Sequence, residues 1–275
     1  MSISEYVRAR PHPALAGLVV GYSGYREHSA TPLRRRQVPT GGCPLILSFD
    51  PPIRLHGPAG PVVRRSFLAG MHDAAVLTEF TGSQAGVQVD LTPLGMFRLL
   101  GRPMSELTNR TPGVDELGLP ELAALPKRLG ADPGWPERFA RVDTVLRRLL
   151  DASRAAPDPE VVWAWGRLVR TTGAVGVQEL ATATGWSRRH LLTRFRAQVG
   201  LAPKAVARVL RFQHAAGLLV PAGPGGGPPT VHSGHPGIAG IAAAVGYADH
   251  SHLVREFHAL AGCTPSQFVA EWWQA

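Results

Sequence analysis

Cysteine is almost missing from this 275-residue chain: only Cys43 and Cys263 occur, too few for a disulfide framework or a thiolate zinc site within one chain. Lysine is equally scarce. Lys127 and Lys204 are the only two, so most of the 29 basic residues are arginine, and part of the net charge of +9 reflects residue usage rather than a partner. No apolar run is long enough to span a bilayer and none near the start has signal-peptide form, so a soluble cytoplasmic protein without membrane contact is expected. Histidine clusters are lacking too. His12, His28, His56 and His72 stand 16, 28 and 16 residues apart, which speaks against a metal cupin, and no cofactor or metal is expected.

What is present is a pattern that occurs twice. Leu180-Ala181, Gly185-Trp186, Phe195, Gly200 and Pro203 recur as Ile241-Ala242, Gly246-Tyr247, Phe257, Gly262 and Pro265. The offset is 61 residues up to the aromatic and 62 from the phenylalanine onward, so the second copy holds one extra residue in or just after its turn. Each copy reads as helix, tight turn, helix: a short apolar helix ends at a glycine able to take positive φ, and Ser187 or Asp249 follows as N-cap. Two such units, near 177–199 and 238–261, point to a chain that reads DNA.

At 100° per residue, Leu191, Phe195 and Val199 share the inward face of the first unit's second helix, leaving Arg189, Thr193 and Arg196 outward. In the second unit Leu253, Phe257, Leu260 and Ala261 face inward, leaving Ser251, Arg255 and His258. These outward triplets coincide when shifted by 62 residues. Arginine forked onto guanine is the commonest base contact, and Leu192 and Val254 beside the stripes suit a thymine methyl. From Arg188 to Arg211 run seven cations and no acid, whereas the second unit contains Asp249 and Glu256, so the first is expected to carry more of the salt-dependent affinity. Between the units, Pro203 to Leu219 reads as a helix of about 26 Å, a spacer able to set two recognition helices about one DNA turn apart.

With these residues in view, the chain from Asp158 onward resembles the DNA-binding domain of the AraC/XylS regulators, through GWSRRHLLTRFRAQVGLAPKAVARVLRF and VGYADHSHLVREFHALAGCTPSQF. The resemblance implies two helix-turn-helix units on direct half-sites read by one monomer. Carried over by position, it implies base contacts from Arg189, Leu192 and Thr193, and from His250, Ser251, His252 and Arg255. Arg188, Arg196 and His258 complete the expected DNA-binding set. Residues 221–237, rich in Gly and Pro, are longer than the usual connection and are expected to form a surface loop; His232 and His235 within it are not expected to bind metal.

The fold expected is α+β: a β-rich, cupin-like sandwich or barrel with helices in residues 1–157, then an all-α region from 158 to 275. Strands are expected at Leu18–Tyr22, Leu45–Phe49, Val62–Leu68, Ala75–Phe80 and Gly86–Leu91, and helices at LGMFRLLG, from Met104, near Glu121 and at Pro136 to Leu150. Ala155–Pro159 reads as a stiff linker. Resemblance, carried by VPTGGCPLILSF and LTPLGMFRLLG, implies an effector-sensing and dimerisation half. The face of Phe139, Val142, Leu146 and Leu149 is then core or a dimer contact, and the dimer contact is the expectation, because the helix closes this half just before the linker and the resemblance implies dimerisation there. Expected partners are double-stranded DNA, RNA polymerase, a small-molecule effector of unknown identity and a second copy. The alternatives are an enzyme-regulator fusion, such as a DNA-alkylation-responsive one using Cys43, and a ligand-independent dimeric DNA-binding module.

Overall fold

The computed structural model describes residues 3–58, 60–220 and 238–272. The N-terminal half is built on a seven-stranded antiparallel sheet: β1 Ile3–Ala9, β2 Val19–Gln37, β3 Cys43–Ser48, β4 Ile53–Gly57, β5 Gly60–Arg64, β6 Phe67–Leu68 and β7 Val76–Leu91. The order is β1-β2-β7-β3-β6, with the β4–β5 hairpin paired onto the first part of β7. Two expected strands merge in β7, because β2 is itself long enough to pair along it from Gln37↔Val76 to Val19↔Leu91. A register shift between Ser29 and Leu33 lets this ribbon bend. Expected strand Val62–Leu68 is divided instead: its first part pairs with β4, its last with β3.

One side of the sheet is covered by α1 Pro93–Leu100, α2 Pro120–Ala131 and α3 Trp135–Ala152. Thr92 caps α1 through Gly95 N, as the strand's end turns directly into the helix. Trp135 lies against Gly24 so closely that a Cβ there would stand 2.5 Å from the indole, and the indole N–H donates to Glu5 at 3.0 Å. Phe139 stacks on Tyr22 with centroids 5.9 Å apart, and the Tyr22 hydroxyl donates to Asp143 at 2.7 Å. Burial and the Asp143 bond both push that phenol's pKa up. Tyr22, Leu45, Leu47, Val87 and Val89 fill the space between sheet and helices.

This packing corrects the expectation of a dimer contact on α3. Phe139, Val142 and Leu146 are 7, 0 and 0 % exposed and Leu149 is partly buried against the same core, so the face is spent within the chain. Cys43 is likewise fully buried, and burial pushes its thiol far up. The upstream arginines that could have lowered it are engaged elsewhere: Arg34 with Glu79, Arg35 with Glu27 and Arg36 with Glu271. Burial at Cys43 therefore works against the thiolate that nucleophilic chemistry there would need.

The C-terminal part comprises α4 Pro159–Arg170, α5 Val177–Thr184, α6 Arg188–Val199, α7 Pro203–Leu219, α8 Ile238–Ala244, α9 His250–Ala261 and α10 Pro265–Trp272. Its apolar core is continuous with that of the sheet half. Residues 221–237, with His232 and His235, lie outside the described residues. Among the described residues no helix is long and apolar enough to cross a membrane.

Candidate DNA interface

Both helix-turn-helix units form as their residues require. Gly185 and Gly246 adopt φ of 70° and 77° at the ends of α5 and α8, the left-handed conformation that closes a tight turn. Ser187 accepts from His190 N at 3.2 Å and Asp249 from His252 N at 2.6 Å, so each second helix begins with the N-cap its sequence offers. Ala248 is the extra residue of the second turn. Inside, Leu191, Phe195, Val199, Leu253, Phe257 and Ala261 are all 0 % exposed. Phe257 meets Phe212 of the spacer helix and Phe268 of α10 at 4.8 and 5.7 Å.

Outside, Arg188, Arg189, Thr193 and Arg196 of α6 are exposed with Leu192 half-buried beside them, and His250, Ser251, Arg255 and His258 of α9 are exposed with His252 half-buried. The four α6 and α9 arginines of this set form none of the ion pairs found among the described residues. Thr193 donates to Arg189 O at 3.0 Å, which turns its hydroxyl back to the helix. His252 is drawn into the turn: its Nδ1 accepts from Ala248 N at 3.4 Å and its ring meets Tyr247 edge-on at 5.1 Å. Trp186 and His190 repeat that edge-on pair in the first unit at 4.5 Å. The repeat thus extends to an aromatic–histidine brace, visible in the sequence only once His190 and His252 are aligned.

The cation run behaves differently from its composition. Arg194 forks onto Asp158 at 2.6 and 2.8 Å, which holds that carboxyl below its usual range. Arg208 forks onto Glu256 at 3.0 and 3.1 Å, and Arg211 donates to Gly173 O at 3.1 Å. Glu256 therefore braces α9 against α7 rather than facing outward, and Asp249 serves as cap. The helical wheel places Arg194 roughly 140° from Arg189, which already removes it from the outer stripe. Its partner, 36 residues away, had no local signal. A cleft of about 320 Å³ between residues 173–177 and the first half of α7 is lined by Lys204, Arg208 and Arg211.

Two exposed arginine-bearing stripes on capped helices, joined by the 17-residue α7, define a double helix-turn-helix DNA-binding protein. A helix-turn-helix domain family matches residues 180–271, and a domain of unknown function (DUF6597) matches residues 7–112. The domain is of AraC type, and the chain is a DNA-binding transcriptional regulator. None of the curated proteins matches it. Among solved structures, ToxT from Vibrio cholerae is similar at 10% identity, with 98% of each chain covered and a TM-score of 0.49. ToxT bound to an unsaturated fatty acid gives 11% identity over 98% of this chain and 94% of that one, with a TM-score of 0.46. The C-terminal domain of AraT from Geobacillus stearothermophilus gives 19% identity over 42% and 88%, with a TM-score of 0.34.

Proposed function

We propose that one chain reads two direct half-sites in successive major grooves, α6 entering one and α9 the next. Arg188, Arg189, Leu192, Thr193 and Arg196 serve the first half-site; His250, Ser251, His252, Arg255 and His258 serve the second. The observation that carries this is the repeated outer stripe: Arg189, Thr193 and Arg196 match Ser251, Arg255 and His258 at an offset of 62 and all six are exposed, with Arg189 and Arg255 both outside any ion pair among the described residues. The first helix of each unit then crosses the phosphate backbone, with Lys204 at the basic cleft beside α5. Selection of duplexes from a random pool tests it. The wild type should return two direct repeats about one helical turn apart, and a single or inverted repeat would refute the reading.

Residues 1–157 act, in this reading, as the effector-sensing and dimerising half of a cytoplasmic regulator that works on RNA polymerase without catalysing a reaction. Effector control has a physical route. The 3₁₀ turn Met104–Leu107 and α1 pack on α6, Thr108 donates to Gly200 O at 2.7 Å, and Arg36 reaches α10, so a shift in either half is felt by the other. The filled sheet interior favours a second reading, a ligand-independent dimeric module. A small-molecule screen by melting temperature separates the two: a ligand at 100 times its Kd adds about 2.7 kcal/mol.

A further inference from the structure

Helix α4 is apolar on two opposite sides. Val161, Ala164 and Leu168 are 0, 0 and 1 % exposed where α4 packs on the first helix-turn-helix unit and α7. Its reverse side carries Val162, Trp163 and Val169 at 44, 40 and 43 % exposure, while the other exposed large hydrophobics, Tyr6, Val20 and Val63, are scattered over β1, β2 and β5. Gly166 falls in the middle of that reverse side at helical spacing. Exposed apolar side chains gathered on one side of a surface helix mark a contact site, and the central glycine, covered here by the Arg170 guanidinium, lets a second helix come close once that side chain swings aside.

The charges select the occupant. Glu160 stands at the start of α4 and Arg170 at its end, and neither joins an ion pair among the described residues, whereas Arg167 is held by Glu179. A second copy laid antiparallel about a two-fold axis near Gly166 sets Trp163 against Val169 of the copy. It also brings Glu160 toward the copy's Arg170, and each match occurs twice by symmetry. We propose that the exposed side of α4 is the homodimer contact of this regulator, made by antiparallel pairing with α4 of a second chain. The proposal rests on the homodimer reading above but moves the contact out of residues 1–157, where α3 does not provide it, to the first helix of the DNA-binding half. Two helices of 12 residues form an interface smaller than the about 1,200 Å² typical of stable complexes. Pairing is therefore strongest between chains on neighbouring DNA sites, where the effective concentration is high.

Sedimentation equilibrium of the full chain and cooperativity on a duplex with two neighbouring sites test it. Trp163→Glu should weaken self-association and cooperativity at least about tenfold, with single-site affinity and melting temperature unchanged. Gly166→Leu, whose Cβ meets only the flexible tip of Arg170 in its own chain, should do the same. Glu160→Arg and Arg170→Glu should each weaken pairing, and the two together should restore it. A Trp163→Glu protein that pairs as wild type would overturn this surface while leaving the homodimer reading intact. A wild type that is monomeric and non-cooperative would overturn both. Loss of promoter activation with unchanged pairing would give the face to RNA polymerase and overturn the proposal.

Discussion

Arg189 and Arg255 lie on the matching outer stripes of two copies of one motif, one helical turn apart in the repeat's register, yet the copies are fastened to the N-terminal half by different means. The first unit is held mainly by apolar packing, with one neutral hydrogen bond from Thr108 to Gly200 O: α6 lies against α1 and the Met104–Leu107 turn, and Gly200 abuts Met71 and Met104. The second is held by charge. Arg36 of β2 forks onto Glu271 at 2.8 and 3.0 Å and donates to Ala261 O at 2.7 Å, at the end of α9. Apolar packing is insensitive to salt, whereas a partly exposed ion pair is screened. The same motif is thus set in two environments, one rigidly coupled to the sheet and one coupled through a contact that ionic strength can loosen.

The largest effects should come from the motif's own core. Phe195→Ala and Phe257→Ala should each cost about 3–5 kcal/mol, with Phe257 toward the upper end because it also loses two aromatic partners. Denaturant unfolding followed in each half separately checks the comparison. Phe195→Ala should also loosen the sheet half, and an equal disturbance of that half by Phe257→Ala would break the distinction.

Next come the outer stripes. Arg189→Ala and Arg255→Ala should each cost about 1–3 kcal/mol of specific binding and relax preference in different half-sites. Binding-site selection with both variants measures this; an unchanged motif from either would remove that arginine from the interface.

Smaller is the effect of the polar attachment. Arg36→Ala should cost up to about 1 kcal/mol and speed amide exchange in α10 while leaving α6 unchanged. Arg36 holds the Glu271 carboxyl below its usual range, so this stabilisation is complete above the ordinary glutamate pKa and is lost as pH falls through the depressed value. Exchange of α10 should rise in acid before that of α6; a rise in α6 first would contradict the contrast.

The smallest effect is electrostatic. Arg188→Ala should lower the slope of log K against log salt by about 1, and Arg194→Ala or Arg208→Ala by less, because Asp158 and Glu256 already neutralise them. Equal losses from all three would show that these ion pairs open on DNA.

The helix-turn-helix units were legible because each of their signals is local. Turn glycine, N-cap and inward apolar triplet all fall within one helix length, and Leu191, Phe195 and Val199 lie where the wheel puts them. The sheet half was less legible. Strand β1 carries mixed polar residues and so has no alternating pattern, and β7 looks like two pieces in the sequence because Gly82 interrupts a run that pairing with β2 holds together. The apolar stripe of α3 was plain, but periodicity gives a buried face without naming what covers it; Tyr22 and the sheet cover this one.

The sequence by itself determined the doubled DNA-reading motif, its capping, its spacer helix and the residues turned outward, since these depend on backbone propensities and spacing within a few turns. Only the tertiary structure decided which cations stay free. Arg194 and Arg208 are neutralised by Asp158 and Glu256, residues 36 and 48 positions away, and a long-range ion pair leaves no periodic trace in a chain. It alone also decided that α3 is core, that Cys43 is buried with its thiol pushed up, and that α4 keeps an apolar side in water. Burial is settled by which surfaces meet when the chain closes, and that is a property of the whole fold.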